Sequence, residues 1–219
     1  MGKPFVGMFL IFSLLFAGCS KDMNTVGFRE ISIEPKLMMT PGEKIPAGVG
    51  LFLPPAFRDY RYRIDQYGIG NIVYYQGDIE IGRNTGLAFY QLLGALFSHV
   101  VLLEDYTPQA MAAAGDIAFV AVPRIERFDF KTPYTGLSNY EVRLALGCTF
   151  YDRRGATVLA TVKTAARQIG SFSALRGGGG PHEAVKNMVQ EACEDALDQT
   201  ARQIVADRAR FPVSGNTNP

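Results

Sequence analysis

The sequence predicts an α+β fold: a mixed, largely antiparallel sheet with helices packed on one face and a long C-terminal helix. Two observations carry most of that expectation. Tyr140 to Tyr151 places Val142, Leu144, Leu146, Cys148 and Phe150 on one face, opposite Arg143, Ala145, Gly147 and Thr149, which is the period of a half-buried strand. Residues 182–208 repeat apolar positions at Val185, Met188, Val189, Ala192, Ala196, Ile204 and Val205, which is the spacing of an amphipathic helix. Strands and helices that alternate in this way build one layer of helices on a sheet.

The elements come in this order. Residues 20–27 are short and polar and read as a tether, and Phe28 to Pro35 carries a weak strand alternation at Phe28, Ile31 and Ile33. Residues 36–46 read as loop. Ala47-Gly48-Val49-Gly50-Leu51-Phe52-Leu53-Pro54 is small and apolar and suits a buried strand. Arg58 to Ile64 alternates tyrosine with arginine, and Asn71 to Tyr75 resembles another short strand. Asn84 or Thr85 can cap a helix that continues through Leu87, Tyr90, Leu93 and Phe97. Val100 to Leu103 is a compact strand, and Thr107-Pro108 opens an alanine-rich helix closed by Gly115.

Asp116 to Phe130 is the first of three antiparallel strands, with Ile117, Phe119 and Ala121 opposite Val120 and Val122. Asp152-Arg153-Arg154-Gly155 is a tight turn that should return the chain into a third strand, from about Thr157 to Ile169. Pro181 then stands at a first helical position, and Glu183, Glu191, Glu194, Asp195 and Asp198 precede Arg202, Arg208 and Arg210. That order of charges complements the helix dipole. The domain boundaries read as 1–18 signal peptide, 19–46 lipidated tether and N-terminal segment, 47–210 a single α/β globular domain, and 211–219 a disordered tail.

The N-terminus sets the compartment. A basic start at Lys3 is followed by an apolar run from Phe5 to Phe16, which fits a secretory signal and falls short of the roughly 20 residues that span a bilayer. Phe16-Ala17-Gly18-Cys19 resembles the bacterial lipobox, although Phe16 stands where leucine is commoner. That resemblance implies cleavage between Gly18 and Cys19, a diacylglycerol on the Cys19 sulfur and an N-linked palmitate. Several acyl chains make a stable anchor. Ser20, rather than aspartate, follows the cysteine. In the lipoproteins resembled, this implies passage to the outer membrane, with the chain anchored on its periplasmic face.

The chain has 22 basic and 21 acidic residues, and the loss of Lys3 with the signal leaves them equal. No basic footprint for nucleic acid is present. Lipidation of Cys19 leaves Cys148 and Cys193. Export permits a disulfide between them, and two buried thiols packed as small apolar groups are the other reading; nothing local brings the two together.

Candidate chemistry is sparse. His99 and His182 are the only histidines, and they lack metal-ligand spacing; no C-x-x-C, nucleophile elbow or Ser-x-x-Lys motif appears. Glu104 and Asp105 are adjacent on a strand end and so point to opposite faces. Gly177 to Gly180 before Pro181 lacks the lysine and hydroxyl of a phosphate loop and reads as a hinge. The segment holding Phe57, Tyr60, Tyr62, Tyr67, Tyr74 and Tyr75 with Arg58, Arg61 and Arg63 has the residue types enriched at protein interfaces. Arg58, Tyr60, Arg61, Tyr62 and Arg63 are therefore the partner-binding candidates; an ordinary amphipathic strand with its rings half in the core is the plainer reading.

Gly48-Val49-Gly50-Leu51-Phe52-Leu53, Thr85-Gly86-Leu87, Phe97-Ser98-His99-Val100-Val101-Leu102 and Asp116-Ile117-Ala118-Phe119 resemble core patterns of YajG-like lipoproteins and auxiliary lipoproteins of ABC-type transport systems. The resemblance spans roughly residues 47–205 and implies a small α/β domain. The expectation is a non-enzymatic accessory or scaffold lipoprotein of an envelope assembly or transport machine. It would carry no cofactor beyond the covalent lipid and would bind an envelope protein partner, with no nucleic acid. The alternative is a module that binds lipid or another hydrophobic ligand between sheet and helix.

Overall fold

The computed structural model describes residues 24–37, 42–68, 73–133, 139–155, 157–171 and 180–211. The expected fold class holds, with the strands divided between two sheets. The elements in chain order are β1 (Asn24–Gly27), β2 (Ile31–Ser32), β3 (Ile45–Phe52), α1 (Pro55–Arg58), β4 (Arg61–Gly68), β5 (Val73–Glu80), α2 (Gly82–Leu96), β6 (Phe97–Leu103), α3 (Pro108–Ala113), β7 (Phe119–Lys131), β8 (Asn139–Asp152), β9 (Val158–Ser171) and α4 (Gly180–Ala206).

The larger sheet has the order β6-β3-β7-β8-β9. β3 runs parallel to β6 and β7, whereas β7, β8 and β9 form an antiparallel meander. The β8–β9 connection is the expected turn: Gly155 takes φ +71°, and the Thr157 amide donates to Asp152 Oδ1 at 3.1 Å. One face of the sheet carries α4 and α2. Val185, Val189, Ala192, Ala196, Leu197 and Ile204 of α4 are fully buried, and the alanines let the helix close on Ala160, Val162 and Ala166 of β9 within one core. A buried hydroxyl pair, Thr164 and Thr200 at 3.2 Å, sits in that interface. Val205, expected on the buried stripe, is 45% exposed, because the stripe has drifted past it by the last turn. On the other face α3 places Met111 against Leu103, Ile117 and Val120 in a smaller cluster. Its start matches the expected cap: Thr107 Oγ1 accepts from the Ala110 amide at 3.2 Å, with Gly115 at φ +75° closing it.

β7 contains a bulge that the alternation does not announce. Ile125 pairs with Leu146 and Arg127 with Ala145, so Glu126 is the extra residue. An inserted residue reverses the parity of the strand beyond it. Phe119 and Ala121 before the bulge, and Phe128 and Phe130 after it, therefore all reach the core.

The smaller sheet centres on β5, which pairs parallel with β1 and β2 and antiparallel with β4. Its inner side packs on the far end of β7 and β8: Tyr62 meets Phe128 edge-on at 4.9 Å, Phe28 meets Phe130 at 6.3 Å, and the buried Tyr140 hydroxyl donates to Tyr75 at 3.0 Å. Two domain boundaries are corrected here. Phe28, Ile31 and Ile33 are at most 5% exposed, so the core already takes in this segment and does not start at residue 47. Phe211 is 3% exposed and packs against Phe97, Phe119 and Phe150, so it belongs to the core rather than the tail. The rest of that tail lies outside the described residues.

Candidate arginine-lined cleft

The tyrosine–arginine segment folds as its alternation requires. On β4, Arg61, Arg63, Asp65 and Tyr67 point outward, whereas Ile64 and Gly68 are buried, with Tyr62 and Gln66 part-buried on the same inner side. Tyr62 is held there by Phe128, by the Gln66 amide donating to its hydroxyl at 3.1 Å and by its own long 3.5 Å bond to the Phe130 carbonyl. Tyr60 is half-buried, and burial raises its phenol above the usual range. Phe57 is buried edge-on to Phe89 at 6.0 Å. Arginines and inner tyrosines therefore lie on opposite sides, and the outward set is Arg58, Arg61 and Arg63.

Backbone bonds bring Arg83 to Arg58 and Arg61. The Tyr60 carbonyl accepts from the amides of Ile81 at 3.2 Å and Gly82 at 3.1 Å, which joins the start of β4 to the start of α2. α2 begins at Gly82 with Ile81 as its cap residue, three or four residues before the expected cap. Asn84 and Thr85 do not cap it: Asn84 donates to Ser32 Oγ at 2.9 Å, and Thr85 donates to the Ile81 carbonyl at 2.6 Å. Arg58, Asp59, Arg61, Glu80 and Arg83 line an open cleft of about 560 Å³. Arg63 stands farther along β4, opposite Asp78 in register.

The cleft carries charges of both signs. Arg58 bonds Asp59 at 3.0 Å, and this bond holds the Asp59 carboxyl below the usual carboxylate range. Arg61 reaches Glu30 at 3.0 Å and Glu80 at 3.7 Å. Arg83 is exposed and forms no ion pair among the described residues. Exposed pairs of this kind are screened by water and weak, so they can be exchanged for the charges of an incoming partner. Guanidinium forks favour planar carboxylates, and Asp59 and Glu80 offer acceptors for cations. Arg83, Asp59 and Glu80 were not legible as site residues, since neither charge nor spacing marks them; their one local signal is the Glu80-Ile81-Gly82-Arg83 junction of strand and helix. A second cleft of about 460 Å³ lies between Glu34–Leu37 and Asn84, Leu87, Ala88 and Gln91 of α2.

The other candidates lie apart from this cleft. His99 is exposed on β6, and His182 is part-buried in the first turn of α4. Asp105 accepts from the Tyr106 amide at 2.6 Å, as loop capping requires. Among the described residues no three histidine, cysteine, aspartate or glutamate side chains are grouped as metal ligands, and no helix is long and apolar enough to cross a membrane. Gly177–Gly179 and the cleavage and lipidation positions Gly18 and Cys19 lie outside the described residues.

Cys148 and Cys193 are buried and unpaired. Burial pushes both thiols up to about 12. The folded state therefore keeps them protonated where the unfolded chain ionises near 9.0. Their contribution to stability is complete below pH 9.0 and is lost as pH rises toward 12. Urea midpoints should fall across that window and fall less in Cys148→Ala/Cys193→Ala. At neutral pH neither thiol should react with iodoacetamide until urea is added; rapid labelling of the native protein would contradict this burial.

No family model matches the chain, and no curated protein matches it. Among solved structures, a Xanthomonas campestris protein described as belonging to the DUF330 family shares the fold. It is 9% identical, with 83% of this chain and 97% of that chain covered and a TM-score of 0.53. A minor lipoprotein from Acinetobacter baumannii is 15% identical, with 78% and 97% covered and a TM-score of 0.45. At 9% identity the likeness to the Xanthomonas protein is one of fold alone.

Proposed function

We propose that the protein is a lipoprotein, anchored through acylated Cys19 on the periplasmic face of the outer membrane, and that its domain docks a protein subunit of an envelope assembly or transport machine. In this reading it is a non-enzymatic accessory that needs no cofactor. The observation that carries the docking role is the convergence of Arg58, Arg61 and Arg83 from three elements on one open cleft. The lipobox-like Phe16-Ala17-Gly18-Cys19 supports the anchor, and the core patterns resembling YajG-like and transport-auxiliary lipoproteins support the setting.

Crosslinking in intact cells tests this reading. A photo-reactive residue at Arg63, beside the cleft, should yield one discrete protein adduct with the full lipoprotein. Arg61→Gln/Arg83→Gln should abolish that adduct yet leave the unfolding midpoint nearly unchanged, since lost surface pairs cost at most about 1 kcal/mol each. An adduct that survives the double substitution would remove the cleft from the docking role. Stoichiometric lipid with no protein adduct would instead favour a lipid-handling module.

A further inference from the structure

The outward face of the small sheet changes character along its length. Thr25, Tyr74 and Tyr67 stand side by side in register across β1, β5 and β4. Tyr67 is 52% exposed, and its ring lies 4.9 Å from that of Tyr74, tilted by 46°. The Tyr74 hydroxyl donates to Asp65. Farther along β4 the outward residues are Asp65, Arg63 and Arg61, so the arginine cleft begins about 20 Å from the aromatic row at the rise of a strand. Lys131 is exposed at the same end as that row, where Thr132 Oγ1 donates to the Tyr67 carbonyl at 3.4 Å.

The same end is where β1 begins, at Asn24 opposite Val73. The five backbone steps from Cys19 to Asn24 reach at most about 17 Å when fully extended. If Cys19 carries lipid, Asn24 is held within that distance of the membrane surface; the aromatic row stands one and two strands across from it at the same end of the sheet, and the cleft lies at the other end. Tyrosine combines an apolar ring with a polar tip and favours the boundary between headgroups and acyl chains. A neighbouring lysine adds attraction to anionic headgroups.

We propose that Tyr67 and Tyr74 are the seat on which the domain rests in the phospholipid bilayer that holds Cys19, with the arginine cleft turned toward the periplasm. This rests on the lipoprotein reading. The seat fixes which face of the domain a partner can approach.

The protein contains no tryptophan, so Tyr67→Trp creates a single reporter. Val158→Trp is the control: Val158 is 54% exposed at the opposite end of β9, about 40 Å away along the strand. Each full lipoprotein variant is placed in phosphatidylethanolamine–phosphatidylglycerol vesicles doped with acyl-brominated phosphatidylcholine. The Tyr67→Trp variant should lose most of its indole emission and the Val158→Trp variant almost none, with Tyr74→Trp behaving as Tyr67→Trp does. Protein that floats with the vesicles while Tyr67→Trp is quenched no more than Val158→Trp overturns the seat and leaves the anchor standing; a partner protein would then be the occupant of the aromatic row. Protein that fails to float overturns the anchor, and the seat with it.

Discussion

Gly82→Ala is expected to be among the most damaging single-methyl additions in the protein, lowering stability by about 3 kcal/mol or more, at the upper end of overpacking penalties. A Cβ at Gly82 would stand 1.9 Å from the Phe57 carbonyl oxygen and 2.7 Å from that of Arg58. These are backbone atoms, so no side chain can rotate aside. α1 cannot retreat without drawing the buried Phe57 ring away from Phe89. α2 cannot retreat without breaking the bonds from Ile81 and Gly82 to the Tyr60 carbonyl. Against a total stability of about 5–15 kcal/mol, that loss is large. The same substitution in the same helix supplies the control. Gly94 has nothing within 4 Å of a Cβ, so Gly94→Ala should stabilise by about 0.5–1 kcal/mol through helix propensity. Urea midpoints should move in opposite directions. Two rising midpoints would mean that helix propensity, rather than the Phe57 contact, governs both sites.

This junction also shows where sequence reading ends. β8 was legible because one face is buried along its whole length, so its period of two survives from Tyr140 to Phe150. β7 was only half legible, since the bulge at Glu126 changes parity without any mark in residue type. β1 escaped, read as polar tether, and β2 showed only as the faint alternation at Phe28, Ile31 and Ile33, because each is short and finds its partner in β5, more than forty residues later; a parallel pairing at that distance leaves no local turn signal. Phe211 looked terminal in sequence, yet in space it closes the cluster of Phe97, Phe119 and Phe150. Among the partner-binding candidates, alternation alone already forbids Arg61 and Tyr62 from sharing a face, and the inward set proved to be the tyrosines. Arg83 joined Arg58 and Arg61 through two backbone hydrogen bonds to one carbonyl, which no residue pattern encodes.

Removing the acyl site should move the whole protein between compartments. With residues 1–18 exchanged for the signal of a soluble periplasmic protein and Cys19→Ser, the chain is expected in the soluble periplasmic fraction, against full membrane recovery for the native sequence. The size of the effect comes from the proposed anchor: each buried methylene contributes about 0.8 kcal/mol, and a single acyl chain gives only marginal attachment, whereas two or more anchor stably. Two tyrosines and a lysine at the aromatic row are too small a contact to substitute for those chains, so in the proposed arrangement the seat orients a domain that the lipid retains. Cys19→Ser behind the native signal should behave differently: the cut before residue 19 is blocked, and the uncleaved apolar run from Phe5 to Phe16 keeps a heavier, unacylated precursor on the membrane. Intact mass separates the three species. A native protein without acyl mass, or an exchanged-signal variant that still sediments with membranes after a high-salt wash, would refute the lipid anchor and leave the fold and the arginine cleft to be explained without it.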